Sequence, residues 1–157
     1  MIEINLDNFI IFLDIDGVLC SYEDMSFRDK KDGEQIFRKY SVDALNKIIK
    51  YYNADLCMIS SGWNPNFSTE QQYKDFLIGR GIKVNNLTFG DKDHRSEFVL
   101  DQIKAGLKHY LIIDDEAHEY YISIPQIEYK RILQPNRYRC LDKYDFKNVT
   151  FNWKLNI

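Results

Sequence analysis

Apolar and polar positions along this 157-residue chain fall into two alternating kinds of stretch. The first is a short unbroken apolar run. Phe9-Ile10-Ile11-Phe12-Leu13 stops at Asp14, Leu56-Cys57-Met58-Ile59 stops at Ser60, and Tyr110-Leu111-Ile112-Ile113 stops at Asp114. Runs of this length predict strands buried on both faces. The second kind repeats at helical spacing. Val42, Leu45, Ile48, Ile49 and Tyr52 follow Ser41 as the expected cap, and Val99, Ile103 and Leu107 follow Asp93. Tyr73, Phe76 and Leu77 lie behind the capping-box string Ser68-Thr69-Glu70-Gln71, with Gly81 as the stop. Ile82-Lys83-Val84 predicts a further short strand, and Ile127 to Leu133 another, ending before Pro135. Strands alternating with helices predict an α/β domain with a doubly wound parallel sheet. In such sheets ligands sit beyond the carboxyl ends of the strands. Three strands here end on Asp14, Ser60 and Asp114, which predicts a site at that edge.

Two segments break the alternation. Residues 21–40 are rich in charge, including Arg28, Lys30, Lys31 and Arg38, and are long enough for a flap but too short for a folded cap domain. Residues 149–157 alternate strictly, with Val149, Phe151, Trp153, Leu155 and Ile157 on one side. That period of two predicts a C-terminal strand, adding to the sheet edge or pairing with a second copy.

Composition narrows the classes. At this length, residues 1–157 form a single domain large enough to bury a core. With 21 Lys+Arg against 24 Asp+Glu, the chain has a net charge of −3, so no global basic field marks a nucleic-acid binder. No apolar stretch approaches a membrane span, and the first residues lack a secretory pattern. Cys20, Cys57 and Cys140 are odd in number and far apart, which points to reduced thiols and a cytoplasmic protein. No His/Cys spacing matches a zinc site, and His94 and His118, near the later motifs, read as surface groups or as groups that support site residues without touching the ligand. Tyr120-Tyr121 read as packing residues, and no stable protein partner is deducible.

The chemistry concentrates in Asp14-Ile15-Asp16-Gly17-Val18-Leu19, directly after the first strand. Two aspartates one residue apart both reach a strand end when the chain leaves it in a turn, and Gly17 supplies the permissive backbone. This string resembles the first motif of the haloacid dehalogenase (HAD) superfamily. Further motifs follow in the family's order: Ser60 or Ser61, with Gly62, after the second strand; Arg95 at the start of a helix; and Asp114-Asp115 after the Ile112-Ile113 run. The resemblance covers roughly residues 9–133. Within the superfamily, the Ser-Ser-x-Trp segment, Arg95 leading into Glu97-Phe98, and the Ile-Asp-Asp pair resemble the HAD domains of Swiss Army Knife RNA-repair proteins. The Arg95-to-Asp114 spacing is also similar to the 3′-phosphatase domain of phage polynucleotide kinase. One departure stands out: relatives often carry an arginine just beyond the serine, where this chain has Trp63 and Asn64.

The resemblance implies a Rossmann-like HAD fold, capless or with a minimal flap, and a Mg²⁺-dependent phosphatase. Asp14 would be the nucleophile that forms an aspartyl-phosphate, and Asp16 the general acid and base. Ser60 (or Ser61, Gly62) and Arg95 would bind phosphate. Asp14, the Asp16 carbonyl and one of Asp114 and Asp115 would hold Mg²⁺, with Asp115 favoured as the direct ligand. Arg28, Arg38 and Trp63 are substrate-contact candidates. The implied substrate is a phosphate on an RNA or DNA end. A protein or small-metabolite phosphatase, and a silent HAD-fold binding module, are the alternatives.

Overall fold

A computed structural model describes residues 3–21, 37–60, 69–145 and 147. Most of the expected flap, Arg28, the Ser61-Gly62-Trp63 segment, Ser68 and the 149–157 strand lie outside these residues. The described chain forms β1 (Ile10–Leu13), α1 (Lys39–Tyr52), β2 (Asp55–Met58), α2 (Glu70–Gly79), β3 (Leu87–Phe89), α3 (Arg95–Lys104), β4 (Tyr110–Ile113), α4 (Ala117–Tyr121) and β5 (Ile132–Leu133). The sheet is five-stranded and parallel throughout, in the order β3-β2-β1-β4-β5.

β1 is the central strand because its residues are apolar on both sides. Ile11 and Leu13 face a core shared with Leu45 and Ile48 of α1 and with Tyr73 and Leu77 of α2. Ile10 and Phe12 face the opposite core, with Val99 of α3 and Tyr121 of α4. All four β1 residues are buried, so the unbroken apolar run is what a strand covered on both faces needs. The chain winds from β1 through β2 to β3 on one side, then returns to place β4 and β5 on the other. The winding therefore reverses between β1 and β4. The carboxyl ends of those two strands are where an open α/β sheet forms its crevice.

Several local expectations need correction. Ser41 does not cap α1, which starts at Lys39 with Arg38 as its uncapped N-cap residue. The Ser41 hydroxyl is buried and donates to the Leu141 carbonyl, so it serves tertiary packing instead. Residues 39 and 40, assigned to the flap, belong to this helix. Helix α2 is capped by Thr69, whose hydroxyl accepts from the Gln72 N–H. Asp93 is not the cap of α3, because Asp91 Oδ1 accepts from both Asp93 N and His94 N ahead of it. Ile82-Lys83-Val84 forms no strand, since the Lys83 N–H is taken by the Asn46 side chain. The third strand is Leu87–Phe89. The run from Ile127 yields only two strand residues, preceded by a 3-10 turn at Tyr129–Arg131.

Candidate active site

Register builds the site. Leu13 lies opposite Ile113 in β4 and opposite Met58 in β2. The residues that follow these three strands therefore emerge side by side. Asp14 N–H donates to the Ile113 carbonyl, and Ile59 N–H donates to the Leu13 carbonyl. This ladder delivers Asp14, Ser60 and Asp114 to one edge of the sheet.

Carboxylate oxygens of Asp14, Asp114 and Asp115 lie within 4.8 Å of one another, and all three residues are buried. Their oxygens are committed to different degrees. Asp14 Oδ1 accepts from the Ile15 N–H at 2.9 Å. Asp114 is fully engaged, with Oδ1 accepting from Glu116 N–H and Oδ2 from Arg95 Nη1 at 2.8 Å. Both oxygens of Asp115 are buried and accept no hydrogen bond among the described residues. Burying an anion's acceptors unsatisfied is costly unless a cation completes them.

Arg95 is the counter-charge of this floor. It is 6% exposed, bonded to Asp114 and 3.8 Å from Asp14 Oδ2. Its guanidinium lies over the Tyr120 ring, 4.4 Å from the centroid. Burial works against its charge, but Asp114 and Asp14 outweigh it and hold the group protonated. The carboxylates respond in the other direction. Burial, then Asp114, pushes Asp14 well above the usual carboxylate range, although Arg95 opposes this. Burial pushes Asp115 up to about 6. Carboxylates this close can all be charged only when a cation joins them.

Gly17 makes room for the cluster. Its φ is +78°, and a Cβ there would fall 2.4 Å from Cγ and Oδ2 of Asp115. Only glycine lets the first loop pass under that carboxylate. Asp16 is buried in the same loop, where its Oδ1 accepts from the Cys20 thiol at 3.7 Å, and its carboxylate does not join the other three. Ser60 is buried with a hydroxyl that has no hydrogen-bond partner among the described residues. Arg38 is engaged elsewhere, its Nη1 donating to the Tyr40 hydroxyl at 2.7 Å.

The donor set fits a hard divalent cation. It consists of carboxylate oxygens only, with Asp115 unsatisfied, and Mg²⁺ prefers such oxygens together with water and phosphate. Residues 10–146 match a family described as the HAD domain in Swiss Army Knife RNA repair proteins. The chain belongs to that family. No curated protein and no solved structure matches it. The fold and the order of motifs are those of a HAD-superfamily hydrolase. Among the described residues, no helix is long and apolar enough to cross a membrane.

Two residues at this HAD site escaped the sequence pattern. Tyr120, read as packing, supports Arg95 with its ring. Arg137 reaches Asp115 Oδ2 and Glu116 Oε1, each at 3.7 Å, from a turn after β5. The signal for Arg137 was the Pro135-Asn136 pair following a strand, because loops at the carboxyl edge of a parallel sheet face the crevice.

Proposed function

We propose that this protein is a Mg²⁺-dependent phosphomonoesterase that works through an aspartyl-phosphate on Asp14, with a nucleic-acid end phosphate as its substrate. The convergence of Asp14, Asp114 and Asp115 beside Arg95 carries this reading. Asp14 would attack phosphorus while the bond to the leaving oxygen breaks, which divides one hard displacement into two easier ones. Asp16 would give its proton to that oxygen, then take one from the water that releases phosphate and regenerates Asp14. Arg95 and Ser60 would hold the phosphoryl oxygens, and the buried Ser60 hydroxyl, which has no hydrogen-bond partner among the described residues, supports that role.

Asp14, Asp115 and the Asp16 carbonyl would hold Mg²⁺, which when bound neutralises charge on the carboxylates and the transferring phosphoryl group. The occupied oxygens of Asp114 support its role as the residue that orients Arg95, leaving direct ligation to Asp115. The family's description as a domain of RNA-repair proteins supports a nucleic-acid end over a small metabolite.

The test is hydrolysis of p-nitrophenyl phosphate with and without Mg²⁺, by wild type and Asp14→Asn. Turnover is expected to require Mg²⁺ and to fall by at least about 10³-fold in the variant, with an unchanged circular dichroism spectrum. Wild-type rates from Asp14→Asn would contradict the nucleophile. Phosphorylated oligonucleotides, phosphopeptides and metabolites assayed side by side then decide the substrate, and oligonucleotide binding should weaken steeply with salt.

A further inference from the structure

The turn that follows β5 is pinned in front of the aspartate cluster. Asn136 Oδ1 accepts from the backbone N–H groups of Tyr138 and Arg139, and the Asn136 carbonyl accepts from Cys140 N–H. The far side of the turn is tied to two other elements. Leu141 N–H donates to the Val18 carbonyl in the first loop, and the Tyr40 hydroxyl of α1 donates to the Arg139 carbonyl. The backbone of Arg137 is therefore fixed relative to the loop that carries Asp14 and Asp16.

Its side chain is 40% exposed, unlike Arg95, and its guanidinium lies 3.7 Å from both Asp115 and Glu116, beyond hydrogen-bond length. Charge explains what such a group can do there. In the phosphatase reading Arg95 and one divalent cation would offset Asp14, Asp114 and Asp115, while Arg137, beside Asp115 and Glu116, adds a further positive charge where the two charges of a phosphate would arrive. A guanidinium offers parallel N–H groups that fit phosphate oxygens in pairs.

From this arrangement we infer that Arg137 is a second phosphate-binding arginine, contacting the substrate phosphate from the solvent side while Arg95 acts from the buried side. The inference rests on the phosphatase reading above and names a contact that reading does not contain.

The experiment compares wild type, Arg137→Ala and Arg137→Lys, with Arg137→Gln as an uncharged polar control and melting curves for each. Two quantities are measured in the presence of Mg²⁺: inorganic phosphate binding by calorimetry, and steady-state hydrolysis of p-nitrophenyl phosphate. Loss of the guanidinium should raise the phosphate Kd and the substrate KM by about tenfold or more. The kcat should stay within about threefold, and lysine should recover part of the loss. Unchanged Kd and KM in the Ala and Gln variants would overturn the assignment, as would a fall in kcat alone. Arg137-dependent phosphate binding without any hydrolysis would sink the phosphatase reading and keep the contact. A wild type that neither binds phosphate nor hydrolyses the ester would sink both.

Discussion

At the amino-terminal end of β2, Asp55 is buried and both its oxygens are taken. Asn8 Nδ2 donates to one at 2.8 Å and Asn86 Nδ2 to the other at 3.2 Å. At the opposite end of the same sheet, Asp14, Asp114 and Asp115 are also buried, yet they crowd together and Asp115 accepts no hydrogen bond among the described residues. The residue type and the strand-end setting are the same at both edges. Only the commitment of the oxygens differs. A lone carboxylate met by two neutral amides is finished as a structure, whereas three crowded carboxylates beside Arg95 and Arg137 form a donor set that a cation could complete.

The comparison is broken most severely at Arg95. Arg95→Ala leaves Asp114 buried without its partner, so stability should fall by about 3–5 kcal/mol in urea unfolding. Its kcat/KM should drop by about 10²–10³-fold. Wild-type stability in that variant would mean that the pair is not the buried counter-charge of the site.

The next effect is linked to pH. The folded chain holds protons on Asp14 and Asp115 that the unfolded chain has released above the ordinary value of 3.8. Raised carboxyl pKa values stabilise the fold at low pH, and that contribution is lost as pH rises from about 4 through 6 and beyond. Mg²⁺ held by these carboxylates would offset the loss, so its upward shift of Tm should be larger at about pH 7.5 than at about pH 5. Scanning calorimetry reads this directly, and equal shifts at both values would take the carboxylates out of the metal site.

The smallest effect belongs to the other edge. Asp55→Asn should cost about 1 kcal/mol and leave turnover within about twofold, because an amide oxygen still accepts one of its two bonds. A large loss of activity there would erase the distinction between the edges.

How much of this was legible depended on how local each cause is. β1 and β4 were readable because strands buried on both faces must be apolar throughout, and the residues that end them carry the chemistry. Asp115 was readable as a neighbour of Asp114, but its lack of a hydrogen bond among the described residues was not, since that depends on what Glu116 N–H and Arg95 reach. Ser41 misled because a serine before an amphipathic run has two uses, and its hydroxyl meets the Leu141 carbonyl, a contact 100 residues away. The third strand misled because Ile82-Lys83-Val84 carries the apolar pattern, whereas the side chains of Asn85 and Asn86 secure the start of β3 through Ala54 and Asp55. Arg137 was marked only by the Pro135-Asn136 pair ahead of it, and the folded turn is what brings it to Asp115.

The pairing of β1 with β4 also sets when the site can exist during synthesis. Asp14 is made early, but its partners Asp114 and Asp115 join it only after β4 has slotted against β1, closing a loop of about a hundred residues. A nascent chain that has emerged only as far as β3 carries Asp14 yet lacks both carboxylates that cluster with it. The aspartate cluster is thereby absent from every translation product that stops before β4, and it forms together with closure of the central sheet.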